Sequence, residues 1–339
     1  MNNPLDNLSL KIKSSKEEKE KLNDIYELKT PADLAEEWAE SKLYAKENPL
    51  KFGFNKVDEV LDGDLRGKVV AILGLAGSKK SLLAAQCCNI NAESYNARGV
   101  ISNMEMDNIS GLDRLMDFST QHYESGDGLV KMQASKYYKH HLTRENQNEI
   151  VAQLSKGLTE YYGNNLLING TSQMTIEMYD ELIKRTIKKF GSIDMLMVDG
   201  MSMTGEDGSE TERFSKVSSG LKMLAKKHKI LICVICHVSK TSGGVAVTPH
   251  TRDLRPFVRG SQKIIDDLDI CICMSLVEDA ENEGYYEDEM GYLWMHDKRG
   301  TGKIVKLIFS FNKMRLLMEE TPINPDSMEG NKKEKKGLF

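Results

Sequence analysis

The sequence predicts an α/β fold in which a mainly parallel central sheet is flanked by helices and continued by a C-terminal β-hairpin extension. Three features lead there. From Gly53 onward, short apolar runs alternate with longer stretches of helical periodicity, the pattern of strands joined by crossover helices. Lys68–Leu83, KVVAILGLAGSKKSLL, reads as a strand, a glycine-bearing turn and a helix in immediate succession. After an acidic stretch at Glu278–Glu289, strand-like segments follow one another at Gly291–His296, Lys303–Phe309 and Lys313–Met318.

Taken in order, residues 1–50 are charged and poor in β-branched residues, and read as an N-terminal helical arm or linker. The mixed charges of Ser15–Tyr26 suit a solvated helix. Thr30 as cap and Pro31 in the first turn open a helix over Ala32–Lys46. Leu34, Trp38 and Leu43 are expected near one face of it, for docking on the chain's own core or on a neighbouring subunit. Residues 51–320 form the main domain. Its first strand is the run Val69–Leu73, followed by strands at Gly99–Asn103, Leu166–Asn169, Ile193–Val198, Ile230–Cys236 and Leu268–Ser275. Helical patterns lie between Ser110 and Gly157, at Thr175–Phe190 and at Glu210–His228. Residues 321–339 are polar and lysine-rich and are expected to be disordered.

Composition narrows the function classes. The 339 residues carry a formal net charge of −5, so any nucleic-acid contact must come from a local basic surface. No run reaches the roughly 18 apolar residues of a membrane helix, and the N-terminus lacks the apolar core of a secretory signal. A cytoplasmic protein without membrane partners is expected. The six cysteines fall into three close pairs. Cys233 to His237 spells C-x-x-C-H, but inside an apolar strand whose alternation sends Cys233 and Cys236 to opposite faces. Reduced core cysteines are expected in place of haem or zinc attachment.

The chemistry-bearing residues gather at predicted strand ends, where ligands bind in open parallel sheets. Gly74, Gly77, Ser78, Lys79, Lys80 and Ser81 form a phosphate cradle: the glycines let N–H groups converge on an anion at a helix N-terminus. The pattern G-x-x-x-x-G-K-[ST] is met except at its second glycine, where Lys79 stands. Lys80 would reach the β- and γ-phosphates, and Ser81 would sit on Mg²⁺. Asp199, ending the apolar MLMV run, has the position of a carboxylate that holds that metal. Glu105, just after the second strand, could deprotonate an attacking water. His237, at the end of the fifth, could sense the γ-phosphate.

The ordered set resembles the motor domain of DnaB-type replicative hexameric helicases, a branch of the RecA-like P-loop NTPases, from about Phe52 to Glu319. Carrying the resemblance are the Lys68–Leu83 cradle, Asn103-Met104-Glu105-Met106, Ile193–Met203 (IDMLMVDGMSM), the strand into His237-Val238-Ser239-Lys240, and Asp253-Leu254-Arg255 with Arg259-Gly260-Ser261 and Asp266–Asp269. The last part is His296–Gly302, HDKRGTG, similar to the segment that inserts a lysine and an arginine finger into a neighbour's nucleotide.

The resemblance implies ATP and Mg²⁺ as ligands. It also implies Lys80, Glu105, His237, Lys298 and Arg299 as catalytic residues, with Ser81 and Asp199 on the metal. It implies a homo-hexamer or other ring, single-stranded DNA in its channel, and a primase or helicase loader as further partner. The acidic loop Met201–Glu212 is a poor phosphate contact, whereas Ser239–Arg259 offers Lys240, Arg252, Arg255 and Arg259 for backbone binding. An arm of this length, without a companion domain, suggests a phage or plasmid replicon. Two alternatives stay open: a recombinase-like DNA-dependent ATPase forming filaments, and a nucleotide-binding loader or scaffold without turnover.

Overall fold

The computed structural model describes residues 29–61, 65–112, 152, 155–156, 159, 163–242, 245–247, 251, 253–258, 262–277, 288–297, 304–312 and 317–320. By packing, the chain divides into Met1–Glu47 and Asn48–Phe339. In the first unit, helix α1 (Pro31–Glu47) starts at the predicted proline, and Leu34 N–H donates to Thr30 O at 3.2 Å. Its apolar residues do not form one stripe. At about 100° per residue, Leu43 lies roughly half a turn round the axis from Leu34. Leu34, Trp38, Leu43 and Tyr44 are all exposed. The expectation of a single apolar face is corrected accordingly.

The second unit is built on β1 (Val69–Gly74), β2 (Gly99–Asn103), β3 (Leu166–Asn169), β4 (Met195–Asp199), β5 (Leu231–His237), β8 (Ile270–Val277), β9 (Asp288–Asp297), β10 (Ile304–Asn312) and β11 (Leu317–Glu320). Among the described residues these make one sheet of nine strands in the order β11-β10-β9-β8-β1-β5-β4-β2-β3. Every neighbouring pair from β8 to β3 is parallel, and β8 to β11 pair antiparallel. The mainly parallel sheet with a C-terminal hairpin extension is therefore present. A separate two-stranded ribbon joins β6 (Thr241–Ser242) to β7 (Val245–Ala246).

Strand alternation sorts the core into two layers. Val70, Ile72, Cys233, Ile235, Met197 and Ile272 face α2 (Asn55–Leu61) and α3 (Lys80–Ser94). Ala71, Leu73, Cys236, Val198 and Cys273 face α4 (Ile176–Phe190), α5 (Glu210–His228) and α6 (Gln262–Asp267). Apolar burial on both faces explains why these strands read as continuous apolar runs. Cys233 and Cys236 do point to opposite faces, all six cysteines are free and buried, and burial pushes the Cys88 and Cys236 thiols up to about 12.

Helix ends follow local chemistry. Thr175 Oγ1 caps α4 by accepting Met178 N–H, and Gly191, at φ +89°, ends it. Ser209 and Glu212 close a reciprocal capping box on α5. The starts of β1 and β8 are tied together by Asp269, whose Oδ2 accepts Val69 N–H at 2.8 Å and pairs with Lys222 of α5. Both side chains of this ion pair are nearly buried. Replacing Asp269 by Ala would strand the Lys222 ammonium, and is expected to cost about 3–5 kcal/mol of stability in urea denaturation. Lys222→Met, which fills the space and leaves the Asp269 carboxylate its bond from Val69 N–H, should cost less.

Candidate functional site

Because β1, β5, β4 and β2 run parallel, their carboxyl ends emerge on one rim of the sheet. The register is specific: Gly74 lies opposite His237, and Asn103 opposite Asp199. Four features expected to act together from the sequence (the cradle, Glu105, Asp199 and His237) thus share that rim.

The cradle is a tight loop closed on itself. Ser78 N–H and Oγ–H both donate to Leu75 O, at 3.2 and 2.8 Å. A Cβ on Gly74 would stand 2.3 Å from Ser78 Oγ and 2.8 Å from Met274 O of β8, so no side chain fits there. Gly77 has φ +83°, a conformation glycine takes without strain. Lys79 is the surprise. It occupies the left-handed region at φ 64°, ψ 23°, immediately before α3. The loop geometry that a glycine would supply is therefore kept by a lysine, at a conformational cost of roughly 1–2 kcal/mol. Its exposed side chain extends from the loop surface.

Lys80 is 4% exposed, and its Nζ donates to Leu75 O at 2.7 Å. Burial lowers its pKa, opposed first by Asp199, then by Cys236 and Glu105. A buried ammonium held against a neutral carbonyl, within the field of two carboxylates, is a cation suited to an incoming polyanion. Ser81 and Asp199 line one small cavity of about 20 Å³ together with Asn103, roughly the room of one water. A hydroxyl and a carboxylate are hard oxygen donors of the kind magnesium takes, so the residues present fit that ion.

Glu105 is positioned by groups that the sequence reading does not single out. Asn103 Oδ1 accepts the N–H groups of Glu105 and Met106 at 2.9 and 3.1 Å, folding the chain back at the end of β2. An asparagine two residues before an acid at a strand end is the available signal. Gly200, at φ +89°, lies so close that a Cβ there would meet Glu105 Cγ at 3.1 Å and Met104 Cβ at 3.2 Å. Met104 N–H donates to Asp199 O at 3.0 Å, locking the ends of β2 and β4 together. The Glu105 carboxylate reaches within 3.8 Å of His237 Nε2, and both side chains remain partly open to solvent.

Of the basic candidates, Lys240 is exposed just past β5. Arg255 has its guanidinium paired fork to fork with Asp253, Nε to Oδ1 at 2.9 Å and Nη2 to Oδ2 at 2.8 Å. This pairing raises the Arg255 pKa and lowers that of Asp253. Arg252, Arg259, Lys298 and Arg299 lie outside the described residues.

The family model described as the DnaB-like helicase C terminal domain matches residues 49–317. Among solved structures, one isolated ATPase domain superposes with a TM-score of 0.65 at 16% identity, covering 87% of this chain and 100% of that one. A DnaB-like replicative helicase, described with its interactions with primase, gives 0.63 at 16% identity, covering 90% of this chain and 71% of that one. The KaiC-like protein PH0186 from Pyrococcus horikoshii gives 0.52 at 15% identity, with 81% and 99% covered. At such identities these likenesses speak to the fold. Comparison with curated proteins finds no significant match.

Lys79→Gly should be neutral or stabilising by up to about 1 kcal/mol in urea denaturation, since glycine relieves the strain but adds unfolded-chain entropy. Lys79→Val, β-branched at positive φ, should lose more than about 1 kcal/mol. In a nucleotide-binding titration Gly200→Ala is expected to leave affinity near wild type while lowering turnover, because it crowds Glu105 and not the cradle.

Proposed function

The chain belongs to the family of DnaB-like helicase C-terminal domains, and from that premise we propose that it hydrolyses ATP to drive movement along single-stranded DNA. The observation that supports this most is the shared rim: residues 80, 105 and 199, far apart in sequence, lie at the carboxyl ends of parallel strands of one sheet.

In this reading Lys80 leaves Leu75 O and donates to the β- and γ-phosphate oxygens, while loop N–H groups at the start of α3 take the remaining phosphate charge. Ser81 and Asp199 would hold magnesium, which when bound supplies positive charge next to the leaving phosphate oxygens. Glu105 accepts a proton from a water as that water's oxygen forms a bond to the γ-phosphorus, and the bond to the β–γ bridging oxygen breaks. His237, 3.8 Å from Glu105, is placed to shift with it when the γ-phosphate leaves, and so to pass the nucleotide state to the Ser239–Arg259 segment. Lys298 or Arg299 would stabilise transition-state charge in an adjacent subunit, which makes a ring, hexameric by the resemblance, part of the proposal. A primase or loader is the further partner consistent with it.

Contact to DNA falls to Lys240, Arg252 and Arg259. Arg255, already engaged with Asp253, acts as a brace for the segment.

Steady-state ATPase with and without single-stranded DNA tests the reading, with DNA-stimulated turnover expected. Hydrolysis indifferent to DNA would count against a motor, and nucleotide binding without turnover would favour the scaffold alternative. Glu105→Gln should lower turnover by about 10²–10⁴-fold while ATP still binds, whereas Lys80→Ala should lose binding as well. Lys240→Ala should reduce the salt dependence of DNA binding by about one unit of log–log slope.

A further inference from the structure

On the sheet face that carries α5, the adjacent strands β8 and β9 present Cys271, Cys273, Trp294 and His296 together. The antiparallel register sets Cys271 opposite His296 and Cys273 opposite Trp294. The Trp294 and His296 rings are stacked, 5.7 Å between centroids. The 253–258 segment lies against this patch: Leu254 N–H donates to Cys273 Sγ at 3.4 Å.

Three ligand-type side chains converge there, and a fourth, Cys271, stands beside one of them. A carboxylate oxygen of Asp253, Cys273 Sγ and a ring nitrogen of His296 lie within 4.8 Å of one another. Cys271 Sγ is 3.9 Å from Cys273 Sγ. Two sulfurs on a tetrahedral zinc, with bonds of about 2.3 Å, are separated by about 3.8 Å. His296 is only 7% exposed, yet its Nε2 has no hydrogen-bond partner among the described residues. A buried polar atom left so is costly, and a metal bond made through Nε2 would remove that cost. Asp253, 39% exposed, gives the cluster an opening to solvent.

The charge count suits a dication. Once metal binding has displaced both thiol protons, the two sulfurs and the Asp253 carboxylate would bring three negative charges, and Arg255, fixed on Asp253, returns one positive. One divalent ion leaves the buried cluster neutral. Sulfur and imidazole together favour a soft or borderline metal over magnesium.

We propose that Asp253, Cys271, Cys273 and His296 form a tetrahedral site for one divalent cation of the zinc class. On binding, each cysteine sulfur bonds the metal and its thiol proton passes to solvent, without any change in oxidation state. The ion clips the 253–258 segment onto β8 and β9. That segment is joined to the end of β5 through the Val238–Val258 bridge and the 2.8 Å bond from Ser239 N–H to Phe257 O. The metal therefore braces the stretch beyond His237 against the strand that runs into Lys298 and Arg299. The site is independent of the ATPase reading.

The test uses the full chain, reduced and stripped with a chelator, then titrated with Co²⁺. A thiolate-to-cobalt charge-transfer band should rise to saturation at one ion per chain and disappear on adding Zn²⁺. Ser81 and Asp199 offer oxygen alone and cannot produce this band. Cys273→Ala should weaken binding at least tenfold. Asp253→Asn, at the half-open edge and so harmless to the core, should do the same and decides the matter if Cys273→Ala does not fold. Cys88→Ala, on α3 beneath the opposite face, should leave the titration unchanged. Absence of the band, or a band that keeps full affinity in Asp253→Asn, overturns the proposal.

Discussion

Parallel pairing of β1 with β5, β5 with β4 and β4 with β2 is the constraint from which the rest follows, because strands buried on both faces cannot slip without moving every side chain into the wrong layer. That register is enforced by apolar packing over the length of each strand. Its consequence is polar and lies at one end: Gly74, Asn103, Asp199 and His237 all emerge on the same rim. The site is thus set by residues that never touch a ligand. Buried ties such as Asp269 to Val69 and Lys222 at the opposite ends of the strands keep the layers from sliding.

At the rim itself, local conformation is tuned against local preference. Lys79 takes a left-handed conformation, Gly200 brings its backbone against Glu105, and Lys80 is buried with a carbonyl as its hydrogen-bond partner. Each departure lies where the chain must leave a strand and turn sharply, and strain of this kind concentrates at functional sites. Asn103 shows the same economy, as one side chain orients Glu105 by holding two backbone N–H groups.

The Asp253–Arg255 pair connects the two halves of the functional picture. As a basic residue on a loop past β5, Arg255 reads in the sequence as a DNA contact. In the fold its guanidinium is paired with a half-exposed carboxylate that itself borders the cysteine and histidine cluster of β8 and β9. The pair stiffens the segment itself, and the bond from Leu254 N–H to Cys273 Sγ joins that segment to β8.

Much is legible in the chain itself. Helix α5 has the bounds its sequence predicts, since Ser209 and Glu212 mark its start chemically and Lys229 ends it in the left-handed conformation. The parallel strands fall within one or two residues of expectation because their burial on both faces writes itself as apolar runs. β9 begins earlier than its apolar stretch, at Asp288, because ladder pairing with Val277 and Asn312 onward is carried by backbone groups that no side-chain pattern reports. Helix α1 lies where its cap and proline put it, but its apolar face does not exist as one stripe, since Leu34 and Leu43 are set apart by helical geometry. The linear order of cradle, Glu105, Asp199 and His237 suffices to place chemistry at strand ends, because a crossover connection returns each parallel strand to the same rim. Tertiary structure alone decided that Arg255 faces Asp253, that Asn103 holds Glu105, and that Cys273 meets Asp253 and His296. Those meetings depend on long-range register and loop placement, which no local spacing encodes.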